Sequence, residues 1–392
     1  MTVDYDPYSE QVILDPYPIY EQLREQSPCH HLEKWDAYAL SRFDDIWAAS
    51  MDAKNYSTAQ GTTASHLLTK IQPVTPMLNL MDPPQHSKLR SQIRNFFQPG
   101  HVKSLEPTIQ KIVTEAFEPI RDRGGCDLYG DVATSISVQV ACLANGFPME
   151  DADMLNALVW RFFGREEGVE GMTQDGVDAM MEMGGYFAKL VAERRKNPTS
   201  GGSPIDVLLE VEIDGRKFSD EEAGSHLTLF LIGGAETFPK VFSSAIYLLH
   251  KHPDQRAECA RDPSLIPDAF NETLRYDMPT QFLMRTLVND VELHGVTMRE
   301  GCPVMFLYPS ANRDKREFEN ADTFDIKRRP PRILSFGHGI HACIGLHYAR
   351  MEGRLCLEWM LENLPEYAVE EEKLQRIRTE FVQGWEQMPV VY

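Results

Sequence analysis

The sequence predicts a mainly α-helical chain with a large helical part and a small β subdomain, and three features predict it. From residue 85 to 275, apolar residues recur at helical spacing, broken near Gly124-Gly125, Gly146-Pro148, Asn197-Pro204 and Ile213-Gly215. Residues 286–308 then turn to short β-prone runs: Thr286-Leu287-Val288, Val291-Glu292-Leu293 and Val304-Met305-Phe306-Leu307, with Gly295 and Gly301 at the turns. No repeat, low-complexity segment or linker divides the 392 residues. A single domain over residues 1–392 is therefore expected, although length alone would suit two or three.

In chain order, Asp15-Pro16-Tyr17-Pro18 leads into a short helix ending near Arg24. Ala37 to Ser41 reads as a strand, and a helix follows from Asp44. Residues 58–80 mix glycine, threonine and proline with large apolar groups, as in a surface loop whose side chains can cap a pocket. Asp82-Pro83-Pro84 starts a helix that puts His86 and Arg90 on one face at i,i+4. Met172, Met180, Met181 and Met183 precede the charged run Glu193-Arg194-Arg195-Lys196, and such soft side chains fill a core or line an adaptable cavity.

The next helical run contains Leu229-Phe230-Leu231-Ile232-Gly233-Gly234-Ala235-Glu236-Thr237. A mid-helix glycine costs about 1 kcal/mol against alanine, so two in succession need a reason. One reason is a close helix crossing. The other is room for a ligand beside Gly233 and Gly234, with Thr237 bonding back to the Gly233 carbonyl four residues earlier. Pro239 has no N–H for the Ala235 carbonyl, so the helix should kink there. Further on, Glu272 and Arg275 share a helical face at i,i+3.

Charge and cysteine usage exclude some classes. Asp and Glu number 59 against 39 Lys and Arg, a net charge of −20, which disfavours nucleic acid and anionic membranes as general partners. Seven cysteines lie scattered, no N-terminal stretch looks like a signal peptide, and no apolar run approaches ~18 residues. A cytoplasmic protein without a membrane anchor is the simplest expectation.

Everything is organised around Phe336-Gly337-His338-Gly339-Ile340-His341-Ala342-Cys343-Ile344-Gly345. Cys343 ends a glycine-punctuated loop, and a helical run carrying Tyr348, Leu355 and Trp359 follows. A thiol at a helix N-terminus feels the positive end of the dipole, which favours its thiolate. Three readings suit the residues: a buried structural cysteine, a zinc site using His338, His341, Cys343 and His347, or haem held by an axial thiolate. Zinc gives the glycines no task, and the spacings lack the paired form of zinc motifs. The decapeptide resembles the haem-binding signature of the cytochrome P-450 superfamily at six specified positions, including Phe336, Cys343 and Gly345.

That resemblance runs from the Asp15-Pro16-Tyr17-Pro18 opening to Gly384 and implies a cytochrome P-450 fold around one heme b, with Cys343 as the iron ligand. It implies that His86, Arg90, Arg285 and His341 reach the haem propionates. Gly233, Gly234, Glu236 and Thr237 match its oxygen-activation motif, in which the acid and alcohol deliver the protons that dioxygen needs before its O–O bond breaks. Phe238-Pro239 departs from the family pattern, which often has a second hydroxyl residue there. Glu272, Arg275 and Arg328 match a buried charge network that pins the cysteine loop. The implied activity is monooxygenation of a hydrophobic small molecule by O2, with electrons from NAD(P)H through a ferredoxin-type donor and its reductase, in a monomer. The pocket walls are expected from residues 58–80, 172–187, 229–233, 280–283 and 382–385.

Two alternatives share the loop. A peroxygenase would not need Glu236 and Thr237 together, and a haem-thiolate sensor would carry an output segment that is not found. The run Lys327-Arg328-Arg329-Pro330-Pro331-Arg332, with Lys88, Arg94 and Lys103 bordering the same face, is expected to dock an acidic electron donor.

Overall fold

The computed structural model describes residues 3–71, 75, 77–166, 169–198 and 202–392. Residues 72–74 and 76 of the expected capping loop, and 199–201 of one expected helix break, lie outside the described residues.

The central element is the helix Asp220–Ala235, started by a reciprocal capping box between Ser219 and Glu222. It is apolar on most sides because helices flank it. Gln174–Lys196 crosses so closely at Gly224 that a Cβ there would lie 2.8 Å from the Ala188 nitrogen. Thr134–Asn145 also packs against it, and Ser137 Oγ donates to the Gly234 carbonyl at 2.7 Å. The helix breaks at Glu236 and resumes as Thr237–Lys251, with Pro239 in its first turn, as the missing N–H requires.

A second layer of helices, including Glu106–Phe117, Ile266–Tyr276 and Leu346–Asn363, encloses a core in which Phe117 stacks on Trp359 at 4.4 Å. The largest sheet has five strands in the order Cys29–Leu32, Ala37–Leu40, Pro303–Leu307, Phe282–Leu287, Tyr56–Ser57, and among the described residues smaller sheets of two or three strands accompany it. Pairing is antiparallel except between Pro303–Leu307 and Ala37–Leu40. Two differences from the sequence reading arise here. The strand expected at Thr286 begins at Phe282, which sets Arg285 opposite Val304 inside the sheet. The edge strand Cys29–Leu32 was hidden because His30 and His31 interrupt its apolar pattern. The methionine run also divides: Met183 is core, whereas Met181 faces solvent.

Candidate functional site: a cysteine loop facing a split helix

The cysteine loop is closed by the Cys343 N–H donating to the Phe336 carbonyl at 2.7 Å. Gly337 and Gly339 take positive φ, +64° and +72°, which suits glycine. At Gly339 a Cβ would also collide with the Ser50 carbonyl, so the loop lies tight against the helix Phe43–Met51. Phe336 packs on the helical core beneath the Arg350 guanidinium, 5.3 Å from the ring centre. Gly345 precedes the helix Leu346–Asn363 and leaves room for the Cys343 sulfur, 3.9 Å from where its Cβ would sit.

Cys343 is open on one side and enclosed by protein on the others, and it is the exposed cysteine of the seven, none of which is in a disulfide. Enclosure raises its thiol above the ordinary range, against the opposing pull of the Gly345 N–H and the Arg90 charge. The helix-end stabilisation expected from sequence is therefore present but outweighed by desolvation. A cation at the sulfur would reverse that balance. The zinc set does not converge: His338 stacks on Trp47 at 3.5 Å, and no group of three or more metal-ligating residues occurs among the described residues.

Four cationic or imidazole side chains gather beside the loop. His86 and His341 lie 4.2 Å apart, ring centre to ring centre. Arg90 donates to the Ala342 carbonyl, and Arg285 to the Met284 carbonyl at 2.7 Å. His86 is buried with both ring nitrogens unbonded. Burial and the neighbouring Arg90 push its pKa down to about 4. Burial, then Arg285, His86 and Arg90, push His341 down to about 2. Asp82, the nearest acid in sequence, is occupied by the Ser57 hydroxyl and by the Thr58 N–H and hydroxyl. Two arginines and two imidazoles converging without an acid of their own call for a dianion, which is what the two propionates of haem supply. The residues fit that group.

Across the cleft, Ile344 and the Leu229–Ile232 face of the central helix belong to one apolar cluster. Nothing stands within 4 Å of a Cβ built on Gly233, whereas one on Gly234 would lie 3.1 Å from the Ala141 Cβ. Gly233 thus opens a groove and Gly234 serves a helix crossing, so the two reasons offered for the glycine pair divide between them, although the family resemblance had put both in the oxygen-activation motif. The Thr237 hydroxyl donates to the Gly233 carbonyl at 3.1 Å, as its spacing predicted. Glu236 points away into the core, where Lys240 Nζ meets its Oε1 at 3.1 Å and the Tyr129 hydroxyl donates to its Oε2 at 3.5 Å. Sequence reasoning missed this pair, though a lysine four residues after an acid in an apolar helix was a visible signal.

The loop is anchored by Glu272 and Arg275, both fully buried. Arg275 makes two bonds to Glu272, at 2.7 and 2.8 Å, and three to the carbonyls of Asn312, Ala321 and Thr323. Arg328 and the Asp325 N–H complete the Glu272 carboxylate at 3.2 and 3.1 Å. Asn312 carries the connection on, accepting from the Leu334 N–H at 2.8 Å and donating to Ser335 at 3.0 Å.

A lone sulfur on a glycine loop, a dianion nest at its flank and a split helix facing both define a haem-thiolate protein. The comparisons with known proteins agree. Residues 263–384 match the cytochrome P-450 family model. The chain is 33% identical over 368 residues to cytochrome P-450 130 of Mycobacterium tuberculosis, covering 92% of this chain and 91% of that one. It is 33% identical over 397 residues to the vitamin D(3) 25-hydroxylase of Pseudonocardia autotrophica, covering 99% and 96%. The crystal structure of CalO2 superposes with a TM-score of 0.88 at 28% identity, over 100% of this chain and 99% of that one. The chain belongs to the cytochrome P-450 family, and it is a haem-thiolate monooxygenase.

Proposed function

We propose that this monooxygenase hydroxylates a hydrophobic small molecule, with heme b bound through Cys343 and with Thr237 managing proton delivery. The observation that carries the proposal is the Thr237 hydroxyl tied to the Gly233 carbonyl at the helix break, beside the open face of Gly233. Haem bound there would supply the iron that reduces dioxygen, while the Cys343 sulfur pushes electron density toward it. His86, Arg90, Arg285 and His341 would neutralise and orient the propionates, and Phe336 and Gly345 shape the sulfur's seat. Thr237 Oγ1 can hold a water in the groove and pass it a proton, with Glu236 next to it as the acid that replenishes the proton. With haem bound, the enzyme would place one atom of O2 in a C–H bond of the substrate and release the other as water, consuming two electrons from the donor and two protons.

An apolar substrate is supported by the walls: Leu229 and Ile232 on the central helix, and Phe381 stacked on Phe163 at 6.2 Å beside the Thr280–Val382 bridge. The vitamin D(3) hydroxylase relative points the same way. We place the enzyme as one domain and a monomer in the cytoplasm, a setting in keeping with seven unpaired cysteines. Among the described residues, no helix is long and apolar enough to cross a membrane.

Thr237→Ala is the direct test. Substrate affinity, read from the Soret shift on titration, is expected to stay within about twofold. Product formed per NAD(P)H consumed is expected to fall by about an order of magnitude, with peroxide making up the difference. Unchanged coupling would remove Thr237 from the proton path.

The electron donor is proposed to be ferredoxin-type, fed by an NAD(P)H-dependent reductase, but its expected docking run changes character in the fold. Lys327 pairs with Glu258 at 2.6 Å and Arg329 with Asp268 at 2.7 Å. Arg332 pairs with Asp44 and Glu317 at 2.9 and 2.6 Å, and Arg328 belongs to the Glu272 network. Neutralised in this way, the run projects little field. Lys88, Arg94 and Lys103 are exposed and make no ion pair among the described residues, and Lys103 shares a cleft with His347 and Arg350 at the back of the cysteine loop. Arg94→Glu with Lys103→Glu is expected to slow reduction by an acidic carrier roughly tenfold at low salt and to flatten its salt dependence. Arg329→Glu is expected to change it little. The reverse ranking would return the docking site to residues 327–332.

A further inference from the structure

The ion pair at the helix break does more than neutralise a buried acid. We infer that Lys240 is the proton-relay residue behind Glu236, so that protons reach the dioxygen groove from the rear of the kinked helix through Lys240, which Tyr129 holds against the acid. The inference rests on the proposed role of Glu236 and adds where its proton comes from.

Four geometric facts carry it. Lys240 is 1% exposed and lies one helical turn after Glu236, with its ammonium 3.1 Å from the carboxylate. The same nitrogen donates to the Tyr129 hydroxyl at 2.6 Å and to the Trp385 carbonyl at 3.1 Å, so all three of its donor positions are used. Tyr129 bonds back to the other Glu236 oxygen at 3.5 Å, which closes a ring of acid, ammonium and phenol. Lastly, the lysine stem passes over Gly384, where a Cβ would sit 3.1 Å from Lys240 Cβ and 3.3 Å from its Cδ. Gly384 has φ +130°, and a side chain there would crowd the stem.

The kink ties this ring to the groove. Glu236 stands between the last residue of one helix and the first of the next, and its side chain is held by Lys240 and Tyr129, the bonds it must give up to turn toward the groove. Its backbone neighbour Thr237 holds the hydroxyl that faces Gly233. In the transfer, an N–H bond of Lys240 breaks and an O–H bond forms on Glu236, turning ammonium and carboxylate into amine and acid. The amine then recovers a proton from solvent on the side of the strand Trp385–Gln387, while the Tyr129 hydroxyl keeps its own proton, accepting from Lys240 and donating to Glu236. Glu386 on that strand is the remaining titratable group whose charge bears on both Glu236 and Lys240, and it is only partly buried. Burial raises Glu236 and lowers Lys240, which brings the charged and neutral forms of the pair closer in energy than in water. A purely structural counter-ion needs no such balance.

Arginine separates the two roles, because it keeps the charge and cannot release its proton at working pH. In holoenzyme, Lys240→Arg is expected to retain the thiolate carbon monoxide spectrum and substrate affinity. Its rate of product formation is expected to fall at least tenfold, with a larger solvent deuterium isotope effect. Wild-type rate and isotope effect in Lys240→Arg would overturn the inference and leave Lys240 as a counter-ion. Lys240→Met provides a readout independent of turnover: infrared difference spectra should show a protonated carboxyl at neutral pH that is absent from wild type and lost in Glu236→Gln. The wild-type rate is expected to fall at alkaline pH as Lys240 loses its proton, Lys240→Met should lack that fall, and a fall retained in Lys240→Met would also overturn the inference. Glu236→Gln distinguishes the premise. If it couples normally, the role proposed for Glu236 fails; if it is impaired while Lys240→Arg is not, only the relay fails.

Discussion

Cys343→Ser is expected to abolish the red-shifted carbon monoxide band of thiolate ligation and to lower product formation by more than about 100-fold. That is the upper end of what losing a group one step removed from a metal costs. The loop should survive the change, because its closing bond runs from the Cys343 backbone to Phe336 and its turns depend on Gly337 and Gly339. Folding measured by circular dichroism should therefore be nearly normal while the spectrum is lost. A Cys343→Ser protein that kept the thiolate band would disprove the ligand assignment, since the other six cysteines are buried or partly so.

Arg275→Lys is expected to be the most destabilising conservative exchange in the chain, costing about 3–5 kcal/mol. The guanidinium fills five acceptor positions on Glu272 and on three carbonyls at zero exposure, and a three-proton ammonium on a shorter fork cannot span them. The Glu272 carboxylate would then keep only Arg328 and the Asp325 N–H. The expected readouts are a lowered denaturation midpoint and poor recovery of haem-loaded protein, because Asn312, Leu334 and Ser335 lie between this network and the cysteine loop. A midpoint within experimental error of wild type would show that the network carries no stability.

Local chemistry made part of this legible in the sequence. Pro239 announced the helix break, the four-residue spacing announced the Thr237–Gly233 bond, and Gly295 and Gly301 marked turns that indeed take positive φ. The Glu272–Arg275 pair was visible at i,i+3, and the Arg328 contact followed from the family resemblance. What stayed hidden depends on partners far along the chain. Whether Gly234 opens a groove or seats a helix is decided by Ala141. Whether residues 327–332 project a positive field is decided by Asp44, Glu258, Asp268 and Glu317, none of them adjacent in sequence. Glu236 looked like a free acid because Tyr129 and Trp385, which enclose its lysine, lie 107 positions before Glu236 and 145 positions after Lys240.

The dianion nest also has a consequence for when the protein can mature. Arg90 and the Ala342 carbonyl it contacts are 252 positions apart, and Thr58 lies 3.4 Å from His341 across 283 positions. Such contacts form late, because the loop between them must first be closed. On the ribosome, the N-terminal half of the nest emerges long before the cysteine loop exists. Haem would therefore meet its full set of partners only after the cysteine loop has been made and has closed against the nest.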